Sequence, residues 1–242
     1  MYLDQRQLIL SPSDLVGHLA CRHLSTLERE RALGRRPEPA ADDPNAEIIR
    51  HLGEVHEHSV LDDMRGSHRV IEIPRTADPG TGERLTLQAM RDGADRIYQA
   101  TFFDGRWRGH ADFLLRNDAV PSNLGDWSYD VADTKLARHL AVGAVLQMGA
   151  YARGLERLQG VPPQRLTVIL GTRQEISVPY VDVAAYLRRA TSDFEEWLAD
   201  PPATYPVRVR HCEICPWAEH CRQQWISDDD LVLVAWLEDV AH

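Results

Sequence analysis

The chain has 242 residues, with 27 Lys+Arg against 37 Asp+Glu and a formal net charge of −10. That length suits one large domain with a full core, and 43% hydrophobic with 26% charged residues excludes a disordered polymer. The acidic balance excludes a general nucleic-acid coat protein but leaves room for an enzyme that meets DNA through a local basic groove.

No apolar run approaches the roughly 18 residues of a membrane helix, so no membrane association is expected. The first residues, Met1-Tyr2-Leu3-Asp4-Gln5-Arg6, show no basic region followed by an apolar core, and a cytoplasmic location is the expectation. Ser11-Pro12-Ser13-Asp14 predicts a helix start, with Leu15, Leu19 and Leu27 as its apolar stripe and Gly34 and Pro37 at its end. After a Pro-rich loop, a second helix is predicted over 45–64, burying Ile48, Ile49, Leu52, Val55, Val60 and Leu61. Val70, Ile71 and Ile73 read as a short strand, and a turn-rich Asp78–Gly82 leads into a short helix ending near Asp92. Three strands are predicted over 96–103, 107–116 and 127–136, the first two joined by a hairpin at Asp104-Gly105. A long helix over 140–159 stops at Gly160, a buried strand covers 166–170, and a further helix covers 181–198. This order predicts an α/β (α+β) fold with a mixed central sheet flanked by helices.

Two oddities stand out. Of the 27 basic residues, 26 are Arg, and Lys135 is the only Lys. An ammonium is a compact charge with a tunable pKa, which a permanently charged, forked guanidinium cannot replace. The four cysteines include Cys212, Cys215 and Cys221 within ten residues, with Cys21 about 190 residues upstream. Without a secretory signal, metal ligation is expected rather than disulfides. Thiolates of the tail returning to Cys21 would form a clasp between the two ends. His211 and His220 precede two of these cysteines, so zinc bound by Cys and His is the alternative.

Asp133 and Lys135 lie two apart on a predicted strand and share a face, and Asp112 on the adjacent strand adds a second carboxylate. Two carboxylates at one spot repel unless a cation sits between them, which implies a divalent metal. Gln147 and Tyr151, at i and i+4, share one helix face. Arg138 and His139 fall at a helix start where phosphate can bind. Arg208 and Arg210 with Trp217 and Trp225 make either a stacking platform for single-stranded DNA or a basic edge over two core tryptophans.

His56, then Gly109-x-x-Asp112, then Asp133-x-Lys135, then Gln147-x-x-x-Tyr151 together resemble the PD-(D/E)xK nuclease superfamily. The four cysteines are similar to those of its RecB-like iron–sulfur branch, which includes the CRISPR-associated RecB-like exonucleases and the AddB nuclease domain. The resemblance spans roughly Ser11 to Cys221 and implies a restriction-endonuclease-like fold. It implies a Mg²⁺- or Mn²⁺-dependent exonuclease acting on single-stranded or end-bearing DNA in repair, recombination or defence, with a helicase or fused module as partner. His56, Asp112, Asp133 and the backbone carbonyl of Thr134 would then hold the ion, with His51 and His58 as rivals to His56. Lys135 would be the catalytic lysine, and Gln147 and Tyr151 would position the strand. Cys21, Cys212, Cys215 and Cys221 would hold a [4Fe–4S] cluster.

The chain departs from the family pattern in Asp133, where most members have Glu, and in Gly53, three rather than four residues before His56. On this reading residues 1–226 form the nuclease domain. Residues 227–242 are a tail, either a terminal helix or the start of a further module. The competing class is a non-cleaving nucleic-acid-binding or interaction module with a structural Zn or Fe–S site.

Overall fold

A computed structural model describes residues 1–39, 44–76 and 78–234. Its centre is a six-stranded mixed sheet in the order β3-β4-β5-β6-β7-β8, formed by β3 (Val70–Glu72), β4 (Arg96–Phe103), β5 (Arg108–Asn117), β6 (Ser128–Lys135), β7 (Arg165–Leu170) and β8 (Glu175–Pro179). The β4–β5 and β5–β6 pairs are antiparallel and β6–β7 is parallel. A parallel neighbour needs a crossover, which α5 (Val142–Gln159) supplies between β6 and β7. Gly160 ends α5 with φ of 77°, a left-handed cap that glycine adopts without a Cβ clash. The expected mixed sheet flanked by helices is therefore the observed architecture.

The two sheet faces bury different helices. On one, α4 (Pro79–Arg91) and α5 cover a core that includes Met90, Ile97, Phe102, Leu114, Tyr129, Met148 and Leu155. On the other, Val60 and Leu61 of α3 (Pro44–Arg65) pack on Tyr98, Phe113, Ala132 and Ile169. α6 (Tyr180–Ala199) packs on α5, and its Phe194 and Trp197 join Leu10 and Leu15 in a smaller cluster.

Several expectations are corrected. The helix predicted from Ser11 is two helices, α1 (Pro12–Ala20) and α2 (Arg22–Ala32), because Cys21 is extended at φ −159° and ψ 112°. Ser11 caps α1 with Asp14 completing the capping box, and Leu19 is exposed rather than core. Of the six apolar positions expected to be buried in α3, Val60 and Leu61 are, whereas Ile48, Ile49, Leu52 and Val55 are exposed. A 22-residue helix is about 33 Å long, and its apolar contacts in the core cluster are confined to Val60 and Leu61 with Met64 against them. Asp78-Pro79-Gly80 is the capped start of α4 rather than a separate turn: Asp78 accepts hydrogen bonds from the amides of Gly80 and Thr81.

The tail past Pro202 forms a 3₁₀ turn at Arg210–Glu213 and then α7 (Ala218–Ser227). Trp217 and Trp225 are buried with Leu27 and Cys221. Their indole N–H groups donate to Glu28 (2.6 Å) and to the Pro206 carbonyl (2.9 Å), so they are core residues and not a stacking platform. Of the predicted tail at 227–242, residues 235–242 lie outside the described residues. No helix among the described residues is long and apolar enough to cross a membrane.

His18 is buried against Phe194 and Trp197, with its Nδ1 3.1 Å from Ser25 Oγ. Burial, with Arg22 adding repulsion, pulls its pKa down to about 4. The unfolded chain therefore binds a proton here between pH 6.5 and about 4 that the folded chain refuses, so stability falls as pH drops through that window. Urea midpoints measured from pH 7 to 4 should decline in the wild type, and His18→Gln should show a shallower decline.

Candidate active site and cysteine clasp

The site sits where the strand alternation slips. Ile97 and, beyond Gln99, Ala100 and Phe102 all reach the α5 core, so β4 loses its period of two at Gln99, which has φ of 56°. Leu114 and Ala111 likewise both reach that core, so β5 slips at Asp112. The paired ladder omits the Gln99–Asp112 position between Tyr98–Phe113 and Ala100–Ala111. A non-glycine residue in the left-handed region costs on the order of 1–3 kcal/mol, and such strain concentrates at functional sites.

Asp112 thereby meets the end of β6. Its Oδ2 accepts from the Thr134 amide and the Thr134 hydroxyl, both at 2.7 Å. The register Phe113–Ala132 sets Asp133 opposite Asp112, and the two carboxyls approach within hydrogen-bonding reach. Asp133 is buried; its Oδ2 makes no regular hydrogen bond and instead ion-pairs with the Lys135 ammonium. Burial first, and Asp112 repulsion second, push the Asp133 carboxyl up to about 7 despite that pair. Burial works against the Lys135 ammonium, yet Asp133, Asp112 and Glu57 outweigh it and raise its pKa above the ordinary lysine value.

Glu57 is the functional candidate that sequence reasoning missed. It projects from α3 toward Lys135 and Asp112 and accepts hydrogen bonds from Tyr98 Oη (2.7 Å) and Gln99 Nε2 (2.5 Å). Burial, then Asp112, raises its pKa. Its neighbour His56 is buried with Nε2 3.3 Å from the Ile169 carbonyl, and Ile169 pairs with Thr134. His56 thus abuts the same end of the sheet. His51 and His58 are exposed, and His58 bonds back to its own helix at the Glu54 carbonyl.

From the opposite face, α5 brings Gln147 and Tyr151. Gln147 Nε2 donates to Tyr151 Oη at 2.7 Å, and the buried phenol feels the charge of Asp133 and Asp112, which with burial raises its pKa. The Tyr151 ring lies so close to β5 that a Cβ at Gly109 would stand 2.8 Å from it. That is the physical reason for glycine three residues before Asp112. Arg138 and His139 are exposed in the segment leading to α5.

Three carboxylates around one ammonium leave the pocket short of positive charge, and an all-oxygen donor set suits Mg²⁺ or Mn²⁺. Asp112 and Asp133 fit that role directly. Among the described residues, no three His, Cys, Asp or Glu side chains are already drawn together as a metal cage.

The four cysteines are free thiols and line one narrow cavity together with Leu24, Leu27, Trp217 and His211. Cys21 comes from the break between α1 and α2, and the others from the 3₁₀ turn, its following loop and α7. Burial, then the mutual proximity of the other three sulfurs, raises the Cys221 thiol to about 11, and burial likewise raises Cys215. The Val209 amide donates to Cys212 Sγ at 3.4 Å, and the Trp217 backbone favours a Cys215 thiolate. Crowded sulfurs with N–H donors aimed at them fit a cationic centre. His220 turns away to Arg36, 2.9 Å from its Nη1.

No family model matches the chain, and no curated protein matches it. Among solved structures, one described as the crystal structure of SSO0001 superposes over 92% of this chain and 89% of that chain, at 15% identity and a TM-score of 0.47.

Adding a branched side chain at Gly109 must displace the Tyr151 ring. Gly109→Val should lower the urea denaturation free energy by about 1–3 kcal/mol, with Gly109→Ala intermediate. A wild-type-like midpoint for the valine variant would contradict this packing.

Proposed function

We propose that the chain is a metal-dependent DNA nuclease of the PD-(D/E)xK type. The observation that carries this reading is the convergence of Asp112 and Asp133 from neighbouring strands on the only lysine of the chain, at a strained point of the sheet. Asp112 and Asp133 would hold the ion, with Glu57 and His56 at its edge. Bound there, a divalent ion would polarise a non-bridging phosphate oxygen and lower the pKa of a water ligand.

The chain's own residues supply the rest. Asp133 anchors the Lys135 ammonium, which is placed to orient the attacking water and to offset charge developing on the phosphate. Thr134 fixes the Asp112 carboxylate through two hydrogen bonds, which hold the group in one orientation. Gln147 and Tyr151 brace the opposite wall and are positioned to guide the strand. Arg cannot replace Lys135, because a planar fork does not fit a site shaped around a point charge. A cytoplasmic location and action beside a helicase accompany this reading.

For the clasp, the reading is a [4Fe–4S] cluster on Cys21, Cys212, Cys215 and Cys221. Four thiols on one cavity and the engagement of His220 by Arg36 support it over zinc. Zinc held by three cysteines and His211 is the second reading, since His211 lines the same cavity.

Two measurements test these assignments. With Mn²⁺ or Mg²⁺ the wild type should degrade end-labelled single-stranded DNA, and Lys135→Ala should lose about 10²-fold or more in rate while still binding the strand. Binding without cleavage by the wild type would instead favour the non-cleaving module. Anaerobically purified protein should be brown and contain iron and inorganic sulfide. A colourless protein with stoichiometric zinc would replace the cluster.

A further inference from the structure

The cavity next to Lys135 belongs to the candidate site. Another, of about 260 Å³, shares only the Tyr151 side chain with that site and lies at the hairpin end of β4 and β5, between α5 and the start of α1. Three arginines line it: Arg108 from β5, and Arg153 and Arg157 from successive turns of α5. Arg157 is ion-paired with Glu83. Arg108 and Arg153 are half-buried and have no carboxylate partner among the described residues. Arg108 donates through Nε alone, to His110 Nε2 at 3.2 Å, which leaves its forked end unpartnered. Arg153 lies over the Trp107 ring, 5.8 Å from its centre. The one carboxylate in the lining, Asp104, is exposed and committed to the hairpin turn, where its Oδ1 accepts from the amides of Arg106 and Trp107.

We propose that this cavity is a binding site for a phosphomonoester, separate from the carboxylates around Lys135 and independent of the nuclease reading. A guanidinium drawn partly out of water loses hydration, and only an anion repays that loss. Carboxylates are in excess in a chain of charge −10, yet none is supplied to Arg108 or Arg153. Their counter-charge is therefore left to a ligand. Planar forks match the oxygens of a phosphate, and a dianion offsets both guanidiniums where a single carboxylate offsets one.

Size and lining narrow the class further. The cavity is smaller than the roughly 300–1,000 Å³ of drug-sized ligand sites, so it takes a phosphate and little beyond the group that carries it. An internal phosphodiester bears one charge and a chain leaving on both sides, whereas a monoester ends at its phosphate and bears up to two charges. Phe103 and Trp107 add aromatic surface to the lining, and Trp107 is held by its indole N–H, which donates to Glu195 at 2.5 Å. A nucleoside monophosphate meets both requirements, whether free or as the phosphorylated end of a strand.

The test is calorimetry on the full chain without added Mg²⁺ or Mn²⁺, so that no cleavage enters the readout. Deoxyadenosine 5′-monophosphate should bind once per chain, and deoxyadenosine should not bind. Arg108→Gln and Arg153→Gln should each weaken binding about tenfold or more, the loss of one charge-assisted contact. Ala150→Trp, which fills the cavity from a half-buried position on α5, serves should an arginine variant not fold. Competition then separates the two sources of the phosphate. Displacement of the nucleotide by a 5′-phosphorylated oligonucleotide, but not by its 5′-hydroxyl twin, assigns the site to a strand end; displacement by neither assigns it to a free nucleotide, and both results uphold a monoester site. No binding of the nucleotide, binding that survives the arginine and tryptophan variants, or equal displacement by the hydroxyl-ended strand overturns it. Each of those results leaves the nuclease reading standing, and a wild type that binds the nucleotide but cleaves no DNA overturns that reading alone.

Discussion

Gathering carboxylates around one buried member, Asp133, is the constraint around which this structure is arranged. Asp112, Asp133 and Glu57 crowd one end of the sheet with a single ammonium to offset them. Carboxylates gathered at one spot repel one another, and although Thr134, Tyr98, Gln99 and Lys135 partner them, nothing in packing alone rewards placing three together. The chain spends further stability to do so, since Gln99 is held in a left-handed conformation where the two strands lose their alternation. An arrangement that is expensive twice over is better explained by chemistry than by stability, and that is the ground on which cation binding beside a phosphate is proposed.

What holds this unfavourable cluster in place is packing from both faces. α3 presents His56 and Glu57 only because Val60 and Leu61, one turn further on, are fixed against Phe113 and Ile169. α5 presents Gln147 and Tyr151 because the neighbouring Met148 and Ala152 are locked in the larger core. Gly109 completes the fit by letting β5 pass under the Tyr151 ring. The polar residues are thus aimed by apolar neighbours whose own positions are over-determined.

Much of this was legible in the sequence where local signals and tertiary packing agree. The strand pattern of 96–136, the Asp104-Gly105 turn and the Gly160 stop all match, because alternation, turn chemistry and a left-handed cap act over a few residues. The gathering of four cysteines was likewise visible, since three of them fall within ten residues and free thiols this dense suit ligation. Glu57 was not legible, because its role depends on a strand slip that puts Asp112 and Gln99 beside it. The exposed stretch of α3 misled for a related reason: its apolar spacing is that of a buried helix, but Ile48, Ile49, Leu52 and Val55 face solvent and only Val60 and Leu61 join the core. β8 and the short β1 (Tyr2–Asp4) and β2 (Gln7–Ile9) hairpin carry too few residues to show a period.

The clasp raises the question of what fastens the two ends of the chain. A metal bridging Cys21 to the tail would close a loop of about 190 residues, and loop-closure entropy rises only slowly with such lengths. The tail is, however, already seated by two buried tryptophans, by Leu27 and by the Trp217–Glu28 hydrogen bond. Burying each indole contributes about 1.5–3 kcal/mol or more, so docking of α7 does not by itself require a bound centre. A centre on four thiols would instead fix the fine geometry of a tail that is in place without it, and Leu24 and His211 face both the sulfurs and the cavity next to Lys135. On that division of labour hydrophobic burial brings the ends together, and a centre on the four thiols would set the shape of the wall shared with the cavity next to Lys135.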